Sequence, residues 1–341
     1  MIIDGTKAES IATAALALRT GELVGLPTET VYGLGADAAN LQAVAKIFAA
    51  KGRPSDHPLI VHVADASGIA HFAHQVPAFA QRLIDAFWPG PVTLILPRLP
   101  SVATAAAGGQ DSIGLRCPSH PVAQALLRNL REGVQPVWGI AAPSGNQFGR
   151  VSPTLASHVE SEFGAELLIL DGGACAIGIE STIIDCTRGA PVLLRPGNLT
   201  RDTLSAACGQ KVLLADELAT SEPQAPRASG TLESHYAPAA QVRLMGAKAL
   251  QTALDLVGAD VDGKNGGKPV IATWSRSILK SRSSTILRRR MPDDAGATAQ
   301  QVFAVLREFD AMGVKLIWIE TLPESPEWDG VRDRLQRAAA G

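Results

Sequence analysis

The chain of 341 residues is poor in aromatic side chains, 4% of the total with only two tyrosines, which argues against a surface that binds RNA by stacking bases on rings. An excess of one charge is also missing. With 31 Lys and Arg against 33 Asp and Glu, the formal charge is −2, so a polyanion partner has no whole-chain support and only a local basic cleft stays open. The four cysteines, Cys117, Cys175, Cys186 and Cys208, are widely spaced without a C-x-x-C pair. This excludes a zinc knuckle and a redox dithiol and fits reduced thiols in a cytoplasmic protein. No apolar run suffices to span a bilayer: Ile11 to Leu18 ends at Arg19, and the N-terminus MIIDGTKAES lacks a basic region followed by an apolar core, so no membrane location is expected. Two nucleotide fingerprints are incomplete. Gly33-Leu34-Gly35 is too short for G-x-G-x-x-G, and the Walker-like spacing from Gly258 to Gly263-Lys264 continues with Asn265 in place of the Ser or Thr that holds Mg²⁺. Glu29 and Glu180 are strand-end carboxylates that water can bridge to a cation, yet no carboxylate cluster resembles a metal cage.

What is present is an ordinary soluble α/β composition, 46% hydrophobic with 32 glycines. Helical and strand patterns alternate. Helices are expected over Glu9–Arg19, Leu41–Ala50, Val76–Phe87 and Pro121–Leu130. Strands are expected over Leu23–Leu26, Leu59–Val63, Val92–Leu96, Ile113–Arg116, Val137–Ala142, Leu167–Leu170, Ile179–Asp185 and Val192–Arg195. This predicts a mixed α/β sheet with functional groups on the loops at strand ends. Three parts follow: a first domain over 1–205, a linker region over 206–238, and a smaller α/β domain over 239–341 with strands at Val242–Leu244, Val270–Thr273 and Val314–Ile319. The linker contains SEPQAPRASGTLESHYAP, rich in Pro, Ser, Gly and Ala.

The run KGRPSDHPLIVHV, Lys51 to Val63, sets two cations, two prolines and two histidines between a helix and a strand. Arg53 precedes Pro54 and is thereby driven to an extended conformation, ending the helix. Two cations there suit either a helix C-terminus stabilised by its dipole or a polyphosphate site. His57 is a turn residue, and His62 lies within the strand on the face opposite Val61 and Val63. The turn Pro143-Ser144-Gly145-Asn146 offers a hydroxyl, an amide and free backbone N–H groups, equally suited to a plain β-turn and to a phosphate cradle. Ser152 suits a helix cap. Arg116, Ser181, Thr182 and Arg195 sit in apolar strand runs where polar groups need partners, so they either line a cleft or emerge at an edge. The segment Arg276 to Arg290 is densely basic, as an edge strand protected by charge or an RNA contact would be.

In order, PTETVYGLG, KGRPSDHPLIVHV, FWPGPVTLIL, GLRCPSHP, PSGNQFG, ESTIID, LLRPG and SHYAP resemble the YrdC-like family, the threonylcarbamoyl-AMP synthases. The resemblance spans about Ala8 to Pro238, and the tail, ending GVRDRLQRAA, resembles the extra C-terminal domain of the family's long form. It implies a YrdC-like twisted mixed sheet with helices around a large cleft, plus a smaller Rossmann-like α/β domain. The implied reaction is formation of threonylcarbamoyl-adenylate and pyrophosphate from L-threonine, bicarbonate or CO₂, and ATP carrying Mg²⁺. A separate tRNA threonylcarbamoyl transferase would use the product for N6-threonylcarbamoyladenosine, so tight nucleic-acid binding is not expected of this chain. The family's K-x-R falls on Lys51 and Arg53, which take the catalytic role, and its S-x-N on Ser144 and Asn146. Together with His57, Ser112, Ser152 and Arg195 these would surround ATP, with His235 and Tyr236 of HYAP closing over it. Thr30, His62, Arg116, Ser181 and Thr182 would surround threonine, and no protein metal ligand is implied. The linker departs from the family's S-P-G form at Ala228-Ser229-Gly230. Rival readings are an RNA-binding or ribosome-associated module with a similar cleft, or a related carbamoyl-transfer domain of a larger maturation enzyme.

Overall fold

Strands of two to six residues, closed by glycine, proline or polar turns, bury little surface singly, and ten of them join into one mixed sheet in the computed structural model. The structure describes residues 1–218, 225–230, 236–263 and 266–341. The chain divides into two compact units, Met1–Phe148 with Ser152–Thr231, and Gly149–Val151 with Leu232–Gly341.

In the first unit the strands are β1 (Ile2–Asp4), β2 (Val24–Leu26), β3 (Gly33–Asp37), β4 (Ile60–His62), β5 (Val92–Pro97), β6 (Ser112–Arg116), β7 (Ile140–Ala141), β8 (Leu168–Asp171), β9 (Thr182–Asp185) and β10 (Val192–Arg195). Their order is β1-β8-β2-β3-β7-β4-β6-β5-β9-β10. The site depends on the centre of this sheet, where β4 runs parallel to β6 with His62 opposite Arg116, and β5 runs parallel to β9 with Val92 opposite Thr182. The helices are α1 (Ala8–Arg19), α2 (Leu41–Lys51), α3 (Ile69–Phe72), α4 (Ala78–Phe87), α5 (Pro121–Arg131), α6 (Ala156–Phe163) and α7 (Arg201–Cys208). Apolar spacing and end signals together make them. In α2, Ala43, Val44, Ile47 and Phe48 face the core, and the Asn40 side chain accepts from the Gln42 and Ala43 amides. In α5, Pro121 takes the first helical position while the His120 ring accepts from the Val122 amide. One core joins α2 and α4 to the central strands through Val44, Ile47, Leu83, Val61, Leu94 and Leu115; another joins α1 and α5 through Ile11, Leu18, Leu126 and Leu130.

The second unit has β11 (Gln241–Met245), β12 (Ile271–Ser275), β13 (Leu287–Arg290) and β14 (Leu316–Glu320), all parallel in the order β11-β14-β12-β13. Its helices are α8 (Ala247–Val257), α9 (Ala295–Ala311) and α10 (Asp329–Ala339). The crossovers β11 to β12 and β13 to β14 travel in opposite directions along the sheet, so right-handed connections put α8 and α9 on opposite faces, as in Rossmann-like units. The basic segment supplies the edge strand β13. Three of the segment's arginines have anionic partners: Arg289 pairs with Glu308, Arg290 with Asp293 at 3.0 Å, and Arg276 with Glu320 at 2.9 Å.

Candidate functional site

The first part of the site grows from the end of α2. Lys51 is 2% exposed, and its ammonium donates to the carbonyls of Ser144, at 2.6 Å, and Asn146. The Phe148 amide returns to the Lys51 carbonyl at 2.9 Å, and the Gly145 amide donates to Tyr32 O at 2.8 Å. Lys51 thus forms the floor of the loop Pro143–Phe148. Burial, and then the charge of Arg53, hold its pKa well below the ordinary lysine value. Two residues on, the Arg53 guanidinium donates to Pro58 O at 2.9 Å and Ser229 Oγ at 3.2 Å, and lies 5.8 Å from the centre of the Phe148 ring. His57 meets that ring edge-on at 5.6 Å, and its pKa is lowered by burial and by Arg53.

A second group gathers at the strand ends around Arg116. This buried guanidinium donates to Thr30 Oγ1 at 2.8 Å and to Gly90 O at 3.2 Å. Its Nη2 lies 2.7 Å from Glu29 Oε1, close but misaligned for a hydrogen bond. The other Glu29 oxygen accepts from the Ser119 amide at 3.1 Å. Thr28 hydroxyl meets that of Thr30 at 2.9 Å, fixing the turn. His62, beside Arg116 on the neighbouring strand, is 3% exposed, and its Nδ1 has no hydrogen-bond partner among the described residues. Burial, then Arg116, push its pKa down to about 3, so the ring is neutral at physiological pH.

Thr182 reaches the Gly90–Pro91 segment that Arg116 also engages, and Ser181 beside it is bonded by Arg195. Ser181 Oγ is shared by Thr93 Oγ1 at 2.8 Å and Arg195 Nη2 at 3.1 Å, while Arg195 Nε donates to Ser181 O at 3.0 Å. Arg195 Nη1 reaches Ser229 O at 3.0 Å, so Arg53 and Arg195 converge on one residue of the linker. The Thr182 amide donates to Pro91 O at 3.0 Å, and its buried hydroxyl has no partner among the described residues. Gly197 passes so close that a Cβ there would lie 2.5 Å from that hydroxyl, which explains the glycine of LLRPG. Ser152 Oγ donates to Glu180 Oε1 next door. Glu29 and Glu180 are both occupied by protein donors, and no group of three His, Cys, Asp or Glu suited to a metal occurs among the described residues.

A small, partly open pocket lies over this face of the sheet, lined among others by Ile60, Thr93, Ser112 and Ile183, with Arg227, Ala228 and Ser229 of the linker on its other side. The linker is clamped there. Gln110 Oε1 accepts from the Arg227 amide at 2.7 Å, its Nε2 donates to Arg227 O at 3.2 Å, and Arg227 pairs with Asp56 at 2.6 Å.

The first unit therefore assembles Lys51, Arg53, His57, Ser112, Ser144, Asn146, Ser152, Arg195, Thr30, His62, Arg116, Ser181 and Thr182 through this chain of contacts and linings. Tyr236 belongs to the second unit, where it is buried with its ring 5.4 Å from that of Phe303 and beneath the Arg334 guanidinium at 5.4 Å. His235 lies outside the described residues. Sequence reasoning did not find Thr28, Thr93, Gln110, Phe148 and Ser229. Thr93 and Phe148 lie inside recognised motifs, and Ser229 inside the linker's departure from the family form, whereas Gln110 carried no signal.

Residues 16–197 match the family model described as Telomere recombination, the Sua5/YciO/YrdC family, and residues 199–340 match that of the threonylcarbamoyl-AMP synthase C-terminal domain. The threonylcarbamoyl-AMP synthase of Bacillus subtilis is 37% identical over 340 residues, covering 98% of this chain and 94% of the relative. That of Pyrococcus abyssi is 37% identical over 330 residues, covering 96% and 94%. The crystal structure of Pyrococcus abyssi Sua5 complexed with L-threonine superposes with a TM-score of 0.84 at 35% identity, over 99% of this chain and 97% of that one. With both halves matched in order and near-complete coverage, the chain belongs to the YrdC-like threonylcarbamoyl-AMP synthase family, in the long form that carries the additional C-terminal domain.

Proposed function

We propose that this chain is an L-threonylcarbamoyladenylate synthase, a nucleotidyltransferase that forms threonylcarbamoyl-AMP and pyrophosphate from L-threonine, bicarbonate or CO₂, and ATP. One observation carries the assignment: two buried cationic groups, Arg116 with Thr30 and Arg53 with Arg195, are linked through Gly90–Pro91, whose carbonyls accept from Arg116 and from the Thr182 amide, next to the Ser181 that Arg195 engages. Joining a carboxylated amino acid to a triphosphate needs two anion sites side by side, because the partners repel each other in water. The threonine complex of the Pyrococcus abyssi relative supports threonine as the amino acid here.

In this assignment the threonine carboxylate faces Arg116, whose Nη2 is imperfectly engaged by Glu29. Neutral His62 adds no charge against the substrate ammonium and offers Nδ1 as an acceptor. The neutral amine attacks the carbon of CO₂ and releases one N–H proton to solvent, or attacks bicarbonate with net loss of water, giving a carbamate. A carbamate oxygen then attacks the α-phosphorus of ATP, and the bond to the bridging oxygen breaks to release pyrophosphate. Arg53 and Arg195 stabilise the charge that grows on that leaving group. The loop Pro143–Phe148, held from beneath by Lys51, presents Ser144 and Asn146 to the nucleotide. Mg²⁺ carried on the ATP phosphates would supply further charge neutralisation. Carbamates decompose in water, so the linker segment over the cavity has a reason to be there. The product would pass to a separate transferase that modifies tRNA.

The protein should release pyrophosphate from ATP, Mg²⁺ and bicarbonate when threonine is present, and far less with other amino acids. Pyrophosphate release with no amino acid in a panel of twenty, about the full protein set, would remove the assignment.

A further inference from the structure

We propose that Arg307 of α9 is a positioning residue for the nucleotide loop, and that holding this loop is a task of the C-terminal unit. The inference rests on the synthase reading and concerns how the extra domain serves that site.

Between Asn146 and Ser152, both assigned to ATP, the chain leaves the first unit for three residues, Gly149–Val151, which group with the second. Both flanks are fixed within the first unit: the Phe148 amide on Lys51 O at 2.9 Å, and Pro153 O on the Tyr32 amide at 2.8 Å. The excursion is itself held inside the second unit. Arg150 pairs with Ala237 as a parallel bridge, and the Ala237 amide donates to Gly149 O at 2.9 Å. Val151 is 3% exposed, and its carbonyl, which needs a partner at such burial, accepts from Arg307 Nη2. Gly149 has φ +83°, and no atom lies within 4 Å of the position a Cβ would take, so backbone conformation and not crowding calls for glycine at this departure point.

Phe303 lies four residues before Arg307 and so on the same face of α9. Its ring packs against Tyr236, the residue preceding Ala237, which is buried with φ +62°. One helix face therefore fixes both the end of the linker and the carbonyl of Val151. Because peptide geometry transmits any shift of Gly149–Val151 to its neighbours, this face sets the relative placement of Asn146 and Ser152.

The test is steady-state pyrophosphate release by the full-length Arg307→Met protein. The ATP KM should rise about tenfold, the scale of one lost charge-assisted hydrogen bond, while the threonine KM stays within about twofold. Arg307→Lys, which keeps a donor, should recover most of the loss. An unchanged ATP KM, or equal changes in both KM values alongside a lowered melting temperature, would overturn the positioning role. Should the Met variant fail to fold, hydrogen exchange on the wild-type protein decides. ATP with Mg²⁺ and without threonine should slow the Ala237 amide and those of α9 near Arg307 together with the loop; slowing of the loop alone counts against the proposal. If the wild type lacks threonine-dependent pyrophosphate release, the synthase reading itself fails and this inference falls with it.

Discussion

At the scale of single residues, burial decides what each titratable group contributes. His62 is packed beside Arg116 and kept neutral, with its pKa down to about 3, while an unfolded chain protonates it near 6.5. The folded-state value is depressed, so as pH falls below 6.5 the unfolded state takes up the proton first, and the stability associated with the neutral ring drains away until the folded value is reached. Between pH 7.5 and pH 5 this amounts to about 2 kcal/mol. Urea unfolding of the wild type and of His62→Gln at those two pH values should therefore show a steeper acid loss in the wild type by about that amount. Equal losses would mean that the ring is protonated in the folded protein as readily as in the unfolded one. Lys51 follows the same logic toward a different end. Its pKa is lowered by burial, and its ammonium is directed at two backbone carbonyls, so the K-x-R motif divides into a lysine that shapes the loop and an arginine bonded to Pro58 and Ser229, two residues that line the pocket.

At the scale of elements, the linker segment 225–230 is held in part by Gln110, whose amide engages both backbone groups of Arg227. Gln110→Ala should loosen the segment without touching the core, and tryptic cleavage after Arg227 should speed up roughly tenfold, as expected for losing two hydrogen bonds from a locally opening segment. An unchanged cleavage rate would show that the pair Arg227–Asp56 and the bonds to Ser229 suffice. How much of this was readable follows from where each element draws its stability. Helices α1, α2 and α5 were legible because periodic apolar residues and end signals agree, and each expected span differs from the observed one by a single residue at one end. The strand expected over Val137–Ala142 shrinks to Ile140–Ala141, its start lost because the Val137 amide goes back to Leu130 O at the end of α5 and not to a neighbouring strand. Strand β9 begins only at Thr182, since Glu180 and Ser181 turn into the site. Helix α6 buries just Ala156 and Val159, too weak a stripe to stand out, and β1 has no fully buried residue. The site's arginines and hydroxyls stood out as polar residues in apolar runs. Thr93 did not, because a threonine in a strand is ordinary until β5 and β9 bring it beside Ser181.

At the scale of the whole molecule, the two units hold unequal shares of the candidate site residues. The first holds the cations, hydroxyls and cavity and has its own apolar cores. The second contains neither cation pair of the site, yet it includes Gly149–Val151 from the middle of the nucleotide loop. Deletion of residues 232–341 leaves those three residues without Ala237 and Arg307, so Gly149 O and the buried Val151 O lose their partners. The first unit should still fold cooperatively, because its cores draw on residues before 213 and lose no member. Its threonine affinity should persist, since Arg116, Thr30, Ser181 and His62 all lie within it. The affinity for ATP should fall at least as far as in Arg307→Met, about tenfold or more, because the loop loses every contact to the deleted unit at once. Calorimetric titration of the truncated protein with threonine and, separately, with ATP and Mg²⁺ measures both. Wild-type ATP affinity in the truncated protein would mean that the flanking bonds from Lys51 and Tyr32 hold the loop unaided, while joint loss of threonine and ATP binding would mean that the deletion damages the first unit as a whole.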